Sequence, residues 1–103
     1  MILVKNMNNK MMAKIKWLTE EQGGRKTIPW GDKYGPIVII KGDSLNPTEA
    51  VWSLLVSNKE SVSEFETIAE IKYLFENAPN NLCAGIEFEL YEGNKLVANG
   101  MVL

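Results

Sequence analysis

Residues 19–36 hold the side chains of this sequence that are best suited to binding another molecule. The glycine pair in this segment would let the backbone approach a ligand closely. The adjacent cations Arg25 and Lys26 could contact phosphate groups, and an aromatic ring could stack on a base. We therefore take as candidate RNA- or partner-binding residues Gly23, Gly24, Arg25, Lys26, Thr27, Trp30 and Tyr34.

The same segment also has a purely structural interpretation. Its glycines could serve turn geometry, Arg25 could pair with Glu20 or Glu21, and Trp30 and Tyr34 could close one end of the fold. A phosphate-binding P-loop is excluded for two reasons. Its motif G-x-x-x-x-G-K-[ST] has lysine directly after glycine, whereas Arg25 separates Gly24 from Lys26 here, and the upstream glycine is missing. The residue types alone leave the binding and the structural interpretations open.

Catalytic chemistry has little support in this sequence. The chain has 103 residues, no histidine and one cysteine. A Ser-His-Asp triad, a Cys-His pair and a histidine-ligated zinc are therefore impossible, as are an internal disulfide and a CxxC motif. Two glutamate pairs, at positions 64 and 66 and at 87 and 89, are expected on solvent faces, which rarely supply the burial that acid–base catalysis by a carboxyl group needs. We expect no catalytic residue, no metal site, no cofactor and no enzymatic activity.

The formal net charge of −2 conceals an uneven distribution. Residues 1–42 carry a net charge of +5, whereas residues 43–103 carry −7. Such a split can indicate an anionic partner for the basic half. It is equally compatible with the two halves pairing as neighbouring strands, so that opposite charges meet across a sheet.

Most of the chain shows the alternation of apolar and polar residues that is typical of β-strands. The predicted strands are residues 12–18, 36–41, 51–56, 65–75, 86–91 and 96–103. Residues 65–75 also fit a helical stripe, but their β-branched and aromatic residues favour a strand. Residues 92–95 are predicted to form a tight turn, which makes the last two strands a hairpin. We expect Trp17, Trp52 and Phe88 in the core.

Six strands without a clear helix predict an all-β fold, a small closed barrel that spans residues 12–103 as a single domain. Residues 1–11 are expected to be a flexible leader or an extra strand. The apolar run at residues 2–4 is too short for a signal peptide or a membrane span. We therefore expect a cytoplasmic protein.

Two groups of residues resemble the third, C-terminal β-barrel domain of translation elongation factor Tu. Residues 20–27, E-E-Q-G-G-R-K-T, resemble that domain's E-E-G-G-R-H-T-P-F loop, and residues 34–36, Y-G-P, are similar to its Y-R-P. Near the C-terminus, Phe88, Glu92-Gly93, Val97, Gly100 and Val102 reproduce the family's F-x3-E-G-x3-V-x2-G-x-V, and Pro79 and Gly85 match its P-x5-G. Lys26 stands where the family has histidine, and Gln22 and Ile28 look like insertions.

The resemblance implies a six-stranded antiparallel closed barrel, and it implies contact with the T-stem of aminoacyl-tRNA through Arg25 and Lys26. The first functional hypothesis is therefore a non-enzymatic binding barrel that contacts structured, tRNA-like RNA or a translation component through residues 23–26. The alternative is a protein–protein interaction module that uses the barrel surface, in a pathway that the sequence does not indicate. Neither a membrane nor DNA is expected as a partner.

Overall fold

Six β-strands close into a barrel in the computed structural model, which describes residues 11–41, 51–78 and 82–103. The strands are β1 (Met11–Trp17), β2 (Ile37–Ile40), β3 (Trp52–Ser63), β4 (Glu66–Tyr73), β5 (Glu87–Glu92) and β6 (Lys95–Val102). Around the barrel their order is β1-β4-β3-β2-β5-β6, and every neighbouring pair is antiparallel. The predicted all-β, six-stranded antiparallel closed barrel is confirmed.

Strand β1 shows how the alternating sequence produces the barrel wall. Ala13, Ile15 and Trp17 are buried, whereas Lys14 and Lys16 are exposed, because successive side chains of a strand point to opposite faces. Strand β1 pairs with β4 on one side and with β6 on the other. It therefore closes the barrel.

The core lies inside the barrel and is filled by the inward residues of all six strands. Trp17 and Phe88 are buried as expected, whereas Trp52 is only partly buried against the core. The ring of Phe88 occupies space that a side chain on β6 would otherwise take, because a Cβ at Gly100 would lie 2.3 Å from Phe88 Cζ. The largest fully buried side chains are Phe88, Ile15, Leu54, Ile71, Leu90, Val56, Val97 and Thr67.

The strand boundaries differ from the prediction mainly in β3. We predicted this strand over residues 51–56, but it continues to Ser63. The register of β3 against β4 shifts between Asn58 and Glu60 and again between Ser61 and Ser63. Such bulges interrupt the alternation of inward and outward side chains, and residues 59–63 are all exposed, so no periodic pattern indicated this part.

Two further predictions concern the ambiguous segment and the N-terminus. The segment at residues 65–75 contains a strand, β4, and no helix. Strand β1 begins at Met11, one residue earlier than predicted. The remainder of the expected leader, residues 1–10, lies outside the described residues, as does Pro79 of the family-like motif.

One end of the barrel carries the candidate binding residues, and we call it the loop end. It comprises the long loop at residues 18–36, the β3–β4 turn at residues 64–65 and the β5–β6 turn at residues 93–94. The described residues include no helix with the length and apolar character that a membrane crossing requires. In the same part of the chain, no group of three or more acidic or thiol side chains is placed to share a metal ion.

Candidate functional site

The long loop begins with a capped 3-10 turn, Glu20–Gln22. The hydroxyl of Thr19 accepts a hydrogen bond from the backbone N–H of Gln22 at 3.2 Å, and the Gln22 side chain accepts one from the Thr19 N–H at 2.8 Å. This reciprocal arrangement is a capping box. Gly23 ends the turn at φ 91°, in the left-handed region where side chains are strained. The first glycine of the pair therefore has a turn-forming role.

Gly24 packs directly on the backbone at the end of β1. Its N–H donates to the carbonyl of Thr19 at 2.8 Å, and an added Cβ would lie 2.2 Å from the carbonyl oxygen of Leu18. The sequence predicted a close backbone approach at this glycine pair. In the structure the closely packed partner of Gly24 is the chain itself.

Arg25 lies among side chains of the barrel end. Its Nε donates to the carbonyl of Thr27 at 3.0 Å, and its Cζ lies 5.0 Å from the centroid of the Tyr34 ring. Its Nη1 donates to Oε2 of Glu92, with which it also forms an ion pair. The structural interpretation expected Glu20 or Glu21 as the partner of Arg25, and the structure places Glu92 there instead.

Tyr34 connects Arg25 to the core. Its hydroxyl donates to the same Oε2 of Glu92 at 2.5 Å, and its ring centroid lies 5.8 Å from that of Trp17. Its carbonyl accepts from the N–H of Val56 on β3 at 2.8 Å. We call Trp17, Arg25, Tyr34 and Glu92 the Arg25 cluster. The cluster packs the long loop against the β5–β6 turn and so closes the loop end.

Contacts within the Arg25 cluster shift the pKa values of its ionisable side chains. Burial raises the pKa of Tyr34 well above its usual value, and the hydrogen bond to Glu92 adds to this effect. Burial would lower the pKa of Arg25, but the hydrogen bond and charge of Glu92 outweigh it and raise that pKa. Burial would likewise raise the pKa of Glu92, yet the hydrogen bonds from Tyr34 and Arg25 lower it below its ordinary 4.5. At neutral pH the cluster therefore holds a carboxylate, a guanidinium and a neutral phenol.

The lowered pKa of Glu92 predicts that acid weakens the fold. Because the folded state lowers this pKa, the ionised carboxylate stabilises the barrel above pH 4.5, and the contribution is lost as the pH falls through the folded-state value. Glu92→Gln should therefore be less stable than the wild type at pH 7, and the difference should shrink below pH 4. Urea unfolding of both proteins between pH 3 and pH 7 measures this difference in stability. A difference that does not change with pH would contradict the prediction.

A chain of three hydrogen bonds, of which the first two are buried, connects the core to the long loop. Trp17 Nε1 donates to Thr67 Oγ1 at 2.9 Å, Thr67 Oγ1 donates to Asn58 Oδ1 at 2.6 Å, and Asn58 Nδ2 donates to the carbonyl of Pro29 at 3.0 Å. Neither Thr67 nor Asn58 was predicted from the sequence as a site residue. Thr67 did carry a signal, since it shares the alternating inward face of β4 with Ala69 and Ile71.

The remaining candidates of the long loop point to solvent. Lys26 and Thr27 are exposed, and the side chain of Trp30 is 54% exposed. Trp30 therefore does not close the barrel end, which was its role in the structural interpretation. Phe65 of the β3–β4 turn lies beside Lys26 and Thr27, and these residues line a small cavity of about 20 Å³.

Opposite charges from the two halves of the sequence meet in the folded barrel. Arg25 pairs with Glu92, and Lys41 Nζ lies 3.7 Å from Glu87 Oε1. On the outer wall, Lys16 of β1 stands in register with Glu66 of β4. These placements correspond to the second interpretation of the charge split, in which the two halves meet across the sheet.

The chain is thus a small closed antiparallel β-barrel with a long loop at one end that carries three cations and three carboxylates. No known protein family matches the sequence, and no curated protein matches it. The similarity to the third domain of elongation factor Tu remains a prediction that depends on the residues quoted above.

Proposed function

We propose that this protein is a non-enzymatic binding barrel whose long loop contacts structured RNA. The observation that carries the proposal is the exposure of Lys26, Trp30 and Lys33 on one loop. Among the residues that the structure describes, neither lysine has an ion-pair partner. The loop therefore presents an accessible indole ring with one accessible lysine before it and one after it in the sequence.

These residue types suit RNA for a physical reason. Lysine side chains contact phosphates without regard to sequence, whereas unpaired bases stack on exposed aromatic rings. The loop is also held in place at two points, by the capping box of Thr19 and Gln22 and by the hydrogen bond from Asn58 to Pro29. A loop that is already ordered loses less conformational entropy when it binds.

The resemblance to elongation factor Tu supports the same assignment. In that family the matching loop contacts the T-stem of aminoacyl-tRNA, and the matching positions here are Arg25 and Lys26. Because Arg25 pairs with Glu92, Lys26 is the cation that we assign to a phosphate. A translation-related role in the cytoplasm, without a cofactor, belongs to this proposal.

We expect binding of purified tRNA that weakens as salt rises. With two or three phosphate contacts, log K should fall against log salt with a slope of about −2 to −3. Lys26→Ala should weaken binding and reduce the magnitude of the slope by about 1, whereas Trp30→Ala should weaken it by about 1–3 kcal/mol with little change in slope. Fluorescence anisotropy with labelled tRNA between 25 mM and 300 mM salt, roughly the range over which such contacts are screened, measures both effects.

Lys41→Ala is the matched control, because Lys41 is an exposed lysine at the end of β2, at the opposite end of the barrel. This variant should bind tRNA as the wild type does. No binding at the lowest salt, or equal affinities for Lys26→Ala and the wild type, would overturn the RNA assignment.

A protein–protein interaction module is the second candidate function. It is favoured by three exposed apolar side chains, Trp30 and Phe65 at the loop end and Val62 beside it on β3. Lys26 lies beside Phe65 and the exposed Glu64 precedes it, so charges of both signs adjoin this side chain, whereas RNA presents only negative phosphates. A specific protein partner that binds the wild type but not Phe65→Ser, together with no binding of tRNA, would establish this function instead.

A further inference from the structure

Glu92 accepts two hydrogen bonds on a single carboxylate oxygen at the centre of the Arg25 cluster. One donor is the Arg25 guanidinium and the other is the Tyr34 hydroxyl. A cation and a neutral donor that converge on one oxygen form an anion-binding arrangement, since both donors favour a charged acceptor. Here the acceptor is supplied by the chain itself.

We propose that Glu92 is an internal anion that closes a phosphate-binding site formed by Arg25 and Tyr34. An RNA phosphate displaces the Glu92 carboxylate and takes over its two donors. This inference depends on the proposed function, and it extends that function by proposing how RNA binding to the loop is regulated.

The two donors are positioned without the help of Glu92. Arg25 is held by its Nε hydrogen bond to Thr27 and by its contact with the Tyr34 ring. Tyr34 is held by the Trp17 ring and by its backbone bond to Val56. The donor pair therefore remains in place when the carboxylate leaves.

Glu92, in contrast, is held by these two donors at a partly exposed position. It is the last residue of β5, next to the turn at Gly93, and its side chain is 33% exposed. The charge of Lys95 also attracts this carboxylate. Lys95 is the register partner of Glu92 across the β5–β6 hairpin. A carboxylate that leaves the two donors therefore stays beside a cation and can be hydrated, so the exchange replaces one anion by another at the same donors.

The internal carboxylate competes at a high local concentration, because it is tethered to the same fold. In the wild type, Arg25 should therefore add little to RNA affinity. Removing the charge of Glu92 should make the Arg25 guanidinium available without altering the shape of the site.

The experiment compares the tRNA affinity of the wild type with that of Glu92→Gln. The variant should bind about fivefold more tightly or better, the size expected when one coupled contact is released. Glu64→Gln is the control, because it removes the same charge at the β3–β4 turn of the loop end. The double variant Glu92→Gln/Arg25→Gln should lose the gain, which shows that Arg25 carries it. Circular dichroism at the temperature of the titration establishes that each variant is folded.

The outcomes separate this inference from the proposed function. Binding by the wild type with the same affinity in Glu92→Gln overturns the internal-anion role and leaves the RNA assignment intact. A gain that Glu64→Gln reproduces, or that persists without Arg25, also overturns it, because the added positive charge alone would then explain the gain. No tRNA binding by any folded variant overturns both proposals.

Discussion

Replacing Gly100 with alanine is expected to lower the free energy of unfolding by about 3 kcal/mol, the upper part of the range for overpacked cores. The new Cβ would lie 2.3 Å from Cζ and 2.5 Å from Cε1 of Phe88. The Phe88 ring is fully buried, so it can move away only by displacing other core side chains. Since whole domains are stable by about 5–15 kcal/mol, this single methyl group should shift the unfolding midpoint markedly.

Two further variants test the cause of this loss. Phe88→Leu removes the ring atoms that the alanine would strike, so the double variant Gly100→Ala/Phe88→Leu should be more stable than the sum of the single effects predicts. Asn99→Ala, at the neighbouring half-buried position of β6, should leave stability within about 0.5 kcal/mol of the wild type. Urea unfolding gives all four values, and strict additivity of the Gly100 and Phe88 changes would contradict the steric explanation.

Thr67→Val should destabilise the barrel by about 2–3 kcal/mol, although valine and threonine have nearly the same shape. The substitution leaves the indole N–H of Trp17 without its acceptor and Oδ1 of Asn58 without its donor. Both groups are buried, so water cannot easily replace the lost bonds. Because Asn58 also holds Pro29, limited proteolysis should cut the long loop of this variant faster.

Thr67→Ser is the matched control for this prediction. Serine keeps the hydroxyl and removes only a methyl group, which is worth about 1 kcal/mol in a core. The serine variant should therefore be more stable than the valine variant. The reverse order would mean that packing at Thr67, and not its two hydrogen bonds, is the larger contribution.

The barrel wall could be predicted from the sequence because alternation is a local property. The inward set Ala13, Ile15 and Trp17 and the inward set Phe88 and Leu90 are visible without knowing which strands pair. The end of β3 could not be predicted, because residues 59–63 are exposed on a bulged strand and carry no periodic signal. The order of the strands around the barrel depends on pairing between distant segments, which alternation does not specify.

Only part of the candidate site could be predicted from the sequence. The composition of the long loop indicated that its glycines, cations and aromatics were important, and the structure places two of these residues, Arg25 and Tyr34, in the Arg25 cluster. The partner of Arg25 was not predictable, since Glu92 lies 67 residues away and reaches Arg25 only because the β5–β6 turn lies at the loop end. Sequence proximity instead indicated Glu20 and Glu21, which are exposed at the 3-10 turn.

The position of β1 between β4 and β6 has a consequence for how the protein is made. The ribosome synthesises β1 before β4 and β6, the two strands that pair with it, so β1 is unpaired when it first emerges. The β3–β4 and β5–β6 hairpins join adjacent segments and can form within about 10 microseconds once released. Strand β4 can cover one edge of β1 as soon as it is synthesised, but closure requires Val102, which pairs with Ala13. Until then the edge of β1 that β6 will cover is open to other chains. A chaperone that shields this one strand would protect the nascent chain during its most aggregation-prone interval.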